Sequence, residues 1–298
     1  MRAMNLADTL VKSGHQVVLW SSDFNHIDKR SRNLADEPIK INPNLELRLL
    51  PSPGYSKNIG IARLVDHAIL AGWLRGRLGA EQARPDVAFV GFPPIETAWV
   101  FVRWLARNQI PVLLDIKDQW PEIFIDALPA FARPLGRLLF WPYFYLARSA
   151  MQSASGLSTM ADGFLQWALH FCGRERGAHD AVFPLTAPMG ELRAEELKAA
   201  GDWWDSLGVD SKPVSRFYFV GSFSRSFDFM PVKEAAQKAL KRQDDIQFIL
   251  CGGGGTIDEV KTMMAGLGNV IFPGWVDRPK IEVLASRCIA SIAPYRNT

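Results

Sequence analysis

Three glycine-bearing turns and one polar strand end hold the residue types that could do chemistry. The turn Cys251-Gly252-Gly253-Gly254-Gly255-Thr256 follows an apolar run and precedes a helical pattern. Residues without side chains at such a place let backbone N–H groups approach a phosphate at a helix N-terminus, although the same glycines also serve a merely tight turn. The Lys-Ser/Thr pair of a Walker loop is absent, and the dinucleotide spacing matches only in part. The turn Val220-Gly221-Ser222-Phe223-Ser224-Arg225 again places Gly and hydroxyl residues at the carboxyl end of a strand, the edge where open α/β sheets bind ligands. Arg225 could meet a pyrophosphate or stand as a solvated loop cation. The third turn, Phe272-Pro273-Gly274-Trp275-Val276, offers Trp275 either to flank a base or to pack between helices. The polar strand end is Asp115-Ile116-Lys117-Asp118-Gln119-Trp120-Pro121-Glu122, where Asp118 or Glu122 could act as base on an incoming hydroxyl. One of them could instead cap the following turn, with Pro121 opening a helix.

Other chemistries lack their residues. His15, His26, His67, His170 and His179 are scattered, without HxxxH or HExxH spacing, and no metal site is expected. Cys172, Cys251 and Cys288 are far apart and odd in number, which suits a reducing compartment, hence the cytoplasm. No GxSxG elbow supports a covalent hydrolase.

Positioning these turns requires an α/β framework. Short apolar runs alternate with amphipathic stretches, which predicts parallel strands joined by crossover helices. Strands are expected at 16–20, 45–49, 86–90, 112–116, 157–160 and 181–183, with helices near 61–82, 95–107 and 134–151. The chain opens in a helix, with Met4, Leu6, Ala7, Leu10 and Val11 on one face and Gly14 stopping it. After 184–213, a stretch with Pro188, Pro213 and a charged helical segment at 191–207, the pattern restarts: strands at 217–220, 246–251, 270–272 and 289–293, helices at 231–241, 257–266 and 279–286. The expected organisation is a first domain over 1–185, a linker over 186–213 and a partial second domain over 214–298.

The 298 residues suffice for two domains. Formal net charge is only +3, from 34 basic and 31 acidic residues, which makes nucleic acid an unexpected partner. The first twelve residues alternate charge and apolar character, unlike a signal peptide, and no run approaches the roughly 20 apolar residues of a membrane span.

The helix and strand from Met4 to Val18, the segment DIKDQWPE at 115–122 and the sequence FVGSFS at 219–224 together resemble retaining GT-B glycosyltransferases, in particular the family 4 bacterial enzymes of cell-surface polysaccharide assembly. Phe183-Pro184-Leu185, FILCGGG and VIFPGWV stand in matching order, so the resemblance covers nearly the whole chain. It implies two Rossmann-like domains, a nucleotide-sugar held mainly by the second, and a glycan or lipid-linked acceptor held mainly by the first. It also implies no metal or other cofactor, since this fold class stabilises the leaving diphosphate with basic side chains and helix dipoles. The implied site residues are Asp118 and Glu122 as catalytic candidates, with Gly221, Ser222, Arg225, Gly252, Gly253, Gly254, Gly274 and Trp275 on the donor.

The resemblance further implies elements at both ends: a strand and Gly-rich loop ahead of the first helix, and a turn and helix bearing two glutamates after Pro294. Their absence makes the chain as written an expected truncated form of low activity. The lysine common after the first donor-domain turn is not evident in SRSFDF at 224–229, where Arg225 could stand in for it. The alternatives are a nucleotide-sugar epimerase of the same plan and an impaired GT-B fragment acting as a binding module. Finally, Phe131–Met151 sets Arg133, Arg137 and Arg148 among aromatic and aliphatic residues. Such a segment is either a core helix of the first domain or a peripheral contact with an anionic membrane at the inner face, suited to a lipid-linked acceptor; Pro142 interrupts the helix and counts against a clean amphipathic anchor.

Overall fold

The computed structural model describes residues 2–25, 29–32, 38–56, 60–126, 128–185, 190–212 and 214–296. The chain divides into two compact units, Met1–Pro188 and Met189–Thr298.

The first unit runs α1 (Arg2–Lys12), β1 (Val17–Ser22), β2 (Phe24–Asn25), β3 (Arg30–Ser31), β4 (Ile39–Asn42), β5 (Leu45–Leu50), α2 (Ile61–Ala80), β6 (Ala88–Phe92), α3 (Ile95–Arg107), β7 (Val112–Ile116), α4 (Glu122–Asp126), α5 (Arg133–Leu139), α6 (Trp141–Ser153), β8 (Gly156–Thr159), α7 (Asp162–Cys172) and β9 (Ala181–Val182). Its strands are shared among separate sheets. Strands β6, β7, β8 and β9 lie side by side and parallel, whereas β1 pairs with β5 in parallel and β4 closes that second sheet antiparallel. The strand β4 was not anticipated, because its sequence IKIN is half exposed and too short for a periodic signal. The near-continuous apolar run of β7, VLLDI, fits a parallel strand covered on both faces. On α3, Ile95, Ala98, Val102 and Leu105 recur at helical spacing and are almost wholly buried, forming one wall of the core with Ala147, Ala150 and Met151 of α6.

The expected helix over 134–151 is two helices, α5 and α6, with the break at Phe140 and Pro142 in the first turn of α6. Proline suits that first turn because its missing N–H would be unpaired there anyway.

The second unit runs α8 (Ala194–Ser206), β10 (Ser215–Ser222), α9 (Met230–Arg242), β11 (Ile246–Gly253), α10 (Ile257–Met263), β12 (Val270–Gly274), α11 (Arg278–Ser286) and β13 (Ala290–Ser291). Its sheet has the order β12-β11-β10-β13, all parallel. One face of the sheet is packed with Phe219, Phe223, Phe229 and Phe248, the other with Trp204, Val209, Ile249, Cys251, Val276 and Leu284.

Within the stretch expected to link domains, 186–189 and 213 lie outside the described residues, but α8 is part of the second unit. Trp204 is fully buried against that unit's sheet and donates from Nε1 to the Lys280 carbonyl at 2.8 Å. The high charge of α8 masked this packing in the sequence, since only Ala200 and Trp204 of the helix are buried.

Candidate functional site

In each unit the carboxyl ends of the parallel strands carry the chemistry-bearing residues. In the second unit the register places the three turns side by side: Val220 pairs with Cys251, Gly221 with Gly252, Ser222 with Gly253, and Cys251 with Gly274. The four glycines after Cys251 divide into two kinds. Gly252 and Gly254 have φ of 125° and 145°, and a Cβ on either would collide with the carbonyl of Gly221 or Phe223. These two are glycines because neighbouring turns mesh, an arrangement fastened by the Phe223 N–H donating to the Gly253 carbonyl at 2.8 Å. Gly253 and Gly255 meet nothing within 4 Å and leave an open, side-chain-free surface on the edge. Gly274 also has a positive φ, 83°, and open space around it.

Trp275, next to Gly274, is 79% exposed, and Arg225 and Ser222 are exposed as well. Backbone amides, a guanidinium and a bare indole face therefore share one edge, a combination suited to an anionic, planar-ringed ligand. Packing between helices, the alternative role for Trp275, does not fit its exposure. The Cys251 thiol beside this edge is inert, since burial pushes its pKa up to about 12, and burial raises Cys288 to about 11.

The first unit's edge is charged and buried instead. Asp115, wholly buried at the end of β7, accepts from Ser158 Oγ at 2.9 Å and pairs with Arg2 at 3.2 Å through Oδ1, while Lys117 Nζ stands 3.8 Å from Oδ2. Of the carboxylates expected to act, Asp118 is exposed on the following turn, and Glu122 accepts from the Trp167 indole N–H at 2.5 Å. The residue that sequence reasoning passed over is Asp115; its signal was an acid inside an otherwise apolar strand.

A second buried polar group was likewise missed. His67 on α2 and Glu96 on α3 are 4% and 8% exposed, with Nδ1 3.9 Å from Oε2, and the imidazole lies 5.8 Å from the Trp120 ring. Burial, aided by nearby Arg63, lowers the His67 pKa to about 4, while burial raises that of Glu96. Tyr143 is pushed up to about 12 by burial and by Glu96. These residues are distant in sequence and join only where α2, α3 and α6 pack, so no spacing could reveal them. Among the described residues, no group of three or more His, Cys, Asp or Glu is gathered to hold a metal ion, and no helix is long and apolar enough to cross a membrane.

No family model matches the chain, and no curated protein matches it by sequence. Solved structures do. WaaG, a glycosyltransferase involved in lipopolysaccharide biosynthesis, is similar with a TM-score of 0.59 and 14% identity, over 98% of this chain and 70% of its own. A glycosyltransferase from Rickettsia africae is similar with a TM-score of 0.52 and 13% identity, over 94% of this chain and 66% of its own. HepE from Anabaena, solved in complex with UDP, is similar with a TM-score of 0.51 and 12% identity, over 82% of this chain and 59% of its own. The chain thus shares the α/β fold of GT-B glycosyltransferases and spans between 59% and 70% of the length of these three.

Proposed function

On that shared fold, we propose that the chain is a glycosyltransferase, moving a sugar from a nucleotide-sugar to a polysaccharide or lipid-linked acceptor with retention of configuration. The observation that carries this reading is the register of β10, β11 and β12, which brings Ser222, Gly253 and Gly274 to one edge with Arg225 and Trp275 exposed beside them. In this reading the open glycines let amides approach the diphosphate, Arg225 offsets its charge, and the Trp275 ring flanks the base. Gly221, Gly252 and Gly254 support the site by letting the turns interlock. Such an edge offers fixed dipoles and a cation to the departing diphosphate, so the proposed reaction needs no divalent metal. Asp118, exposed beyond β7, is the proposed base or acceptor contact of the first unit. Glu122, bound to Trp167, orients the turn that carries Asp118.

Calorimetric titration with UDP and GDP, followed by nucleotide release from the matching sugar nucleotides with and without glycan acceptor, tests the proposal. Acceptor-dependent release that persists in EDTA is expected. Conversion of the sugar nucleotide without acceptor would instead identify an epimerase, and binding without turnover a binding module.

A further inference from the structure

Away from the carboxyl edges, the later turns of α2 and α3 enclose a surface pocket of about 120 Å³. α3 leaves the carboxyl end of β6 at Ile95, and the chain returns to the amino end of β7 at Val112. Arg107, the last residue of α3, therefore stands at the edge of the sheet opposite the turn that carries Asp118. Buried Leu78 of α2 lines the pocket with Trp99 and Trp104 of α3, and Arg75 of α2 joins Arg103 and Arg107 of α3 around it. Steps of four residues put Trp99, Arg103 and Arg107 on one face of α3.

The three cations come without counter-charge. Each of the two helices holds a single acidic residue, Asp66 in α2 and Glu96 in α3, and both are buried toward the other ends of the helices. Glu81, just after α2, is engaged by Arg48. Among the described residues, none of Arg75, Arg103 and Arg107 forms an ion pair with a carboxylate. The negative carboxyl end of a helix accounts for Arg107, but its influence fades within one turn, and Arg75 and Arg103 lie further in.

The walls are fixed while the cations stay available. Trp99 donates from Nε1 to Ser149 Oγ of α6 at 3.3 Å, and the Arg103 guanidinium lies over its ring at 5.1 Å. Arg84 covers Trp104 in the same way, also at 5.1 Å. A guanidinium resting on an indole uses its flat face there and keeps its N–H edge for an oxyanion, which it can grip through two parallel hydrogen bonds. Three such edges around one cleft suit a dianion, and the indoles beside them suit an apolar ring face on whatever carries it.

We propose that this cleft is a second ligand site, which takes the phosphate of a small soluble sugar phosphate. Arg75, Arg103 and Arg107 hold the phosphate oxygens, and Trp99 and Trp104 flank the sugar ring. The site lies on the first unit alone and does not depend on the glycosyl-transfer reading.

Calorimetric titration of the full chain at low salt tests it, with glucose 6-phosphate, inorganic phosphate and glucose as probes. Saturable binding of one equivalent of glucose 6-phosphate is expected, several-fold tighter than inorganic phosphate and weakened by added salt, with no heat from glucose. Affinity should fall about tenfold in Arg107→Gln and further in the double variant Arg103→Gln with Arg107→Gln, at a melting temperature near that of the wild type. Arg242→Gln, exposed on α9, makes the same change in net charge elsewhere and should leave binding intact. Arg225→Ala should leave it intact as well, which separates this cleft from the glycine-turn edge of the second unit. No heat with either phosphate, full affinity in the double variant, or an equal loss in Arg242→Gln or Arg225→Ala would overturn the proposal. Equal affinity for inorganic phosphate and glucose 6-phosphate would overturn the assignment to a sugar phosphate.

Discussion

The two carboxyl edges are built on opposite principles. In the second unit the edge is backbone: glycines, a hydroxyl, one guanidinium and one exposed indole, with the nearby thiol held inert by burial. In the first unit the edge is side chain, with Asp115 enclosed by Ser158, Arg2 and Lys117, and the His67–Glu96 pair enclosed between helices. A backbone edge is preorganised by the sheet itself and tolerates a ligand with many negative oxygens. A buried-charge edge is fixed by a few specific pairs, and each pair loses its partner's solvation if broken.

The largest expected effect tests what supports the backbone edge. Trp204→Ala should cost about 5 kcal/mol, through the cavity left by a fully buried ring and the stranded Lys280 carbonyl. Chemical denaturation followed by fluorescence should show the second unit melting first; a loss below about 1 kcal/mol would mean α8 is not part of that unit's core. Next, Gly252→Ala should cost about 4 kcal/mol, because the new Cβ meets the Gly221 carbonyl at a φ of 125°. Gly253→Ala, facing open space, should leave the melting temperature unchanged and weaken UDP binding. Equal effects from these two substitutions would erase the distinction between interlocking and open glycines.

The buried-charge edge gives a pH test. The folded-state pKa of His67 is depressed to about 4, so its contribution to stability is complete above the unfolded value near 6.5 and is lost as pH falls toward 4. Glu96 is shifted upward and acts in the opposite sense, since the folded state takes up its proton first. Glu96→Gln should therefore expose a loss of up to about 3 kcal/mol between pH 6.5 and pH 4, steeper than in the wild type. A flatter profile in the variant would show that His67 is not held neutral by burial. The smallest stability change belongs to Arg225→Ala: under about 0.5 kcal/mol, but with weaker binding of UDP by calorimetry. Unchanged binding would leave Arg225 as a solvated loop cation.

The strands and helices around these edges were largely legible because their signals are local. β7, α3, β11 and α11 fall within about two residues of where periodicity and turn chemistry place them. The division of the first unit's strands between sheets was not legible, since pairing partners leave no mark on a single strand's pattern. Nor was the attachment of α8, whose packing rests on one tryptophan in a charged helix. At the candidate site, the glycine turns could be found but not sorted. Their composition is uniform, and only the approach of the neighbouring turn separates Gly252 and Gly254 from Gly253 and Gly255.

By itself, then, the sequence determined the α/β class, the restart of the pattern in the second half, and the strand ends where polar and glycine residues gather. Each of these follows from periodicity and backbone preference within a dozen residues. Tertiary structure alone decided that Asp115 is enclosed while Asp118 is exposed, that His67 meets Glu96, and that the outer face of α5 and α6 is left uncovered. Those outcomes depend on which distant elements pack together, and burial and pairing are properties of that packing.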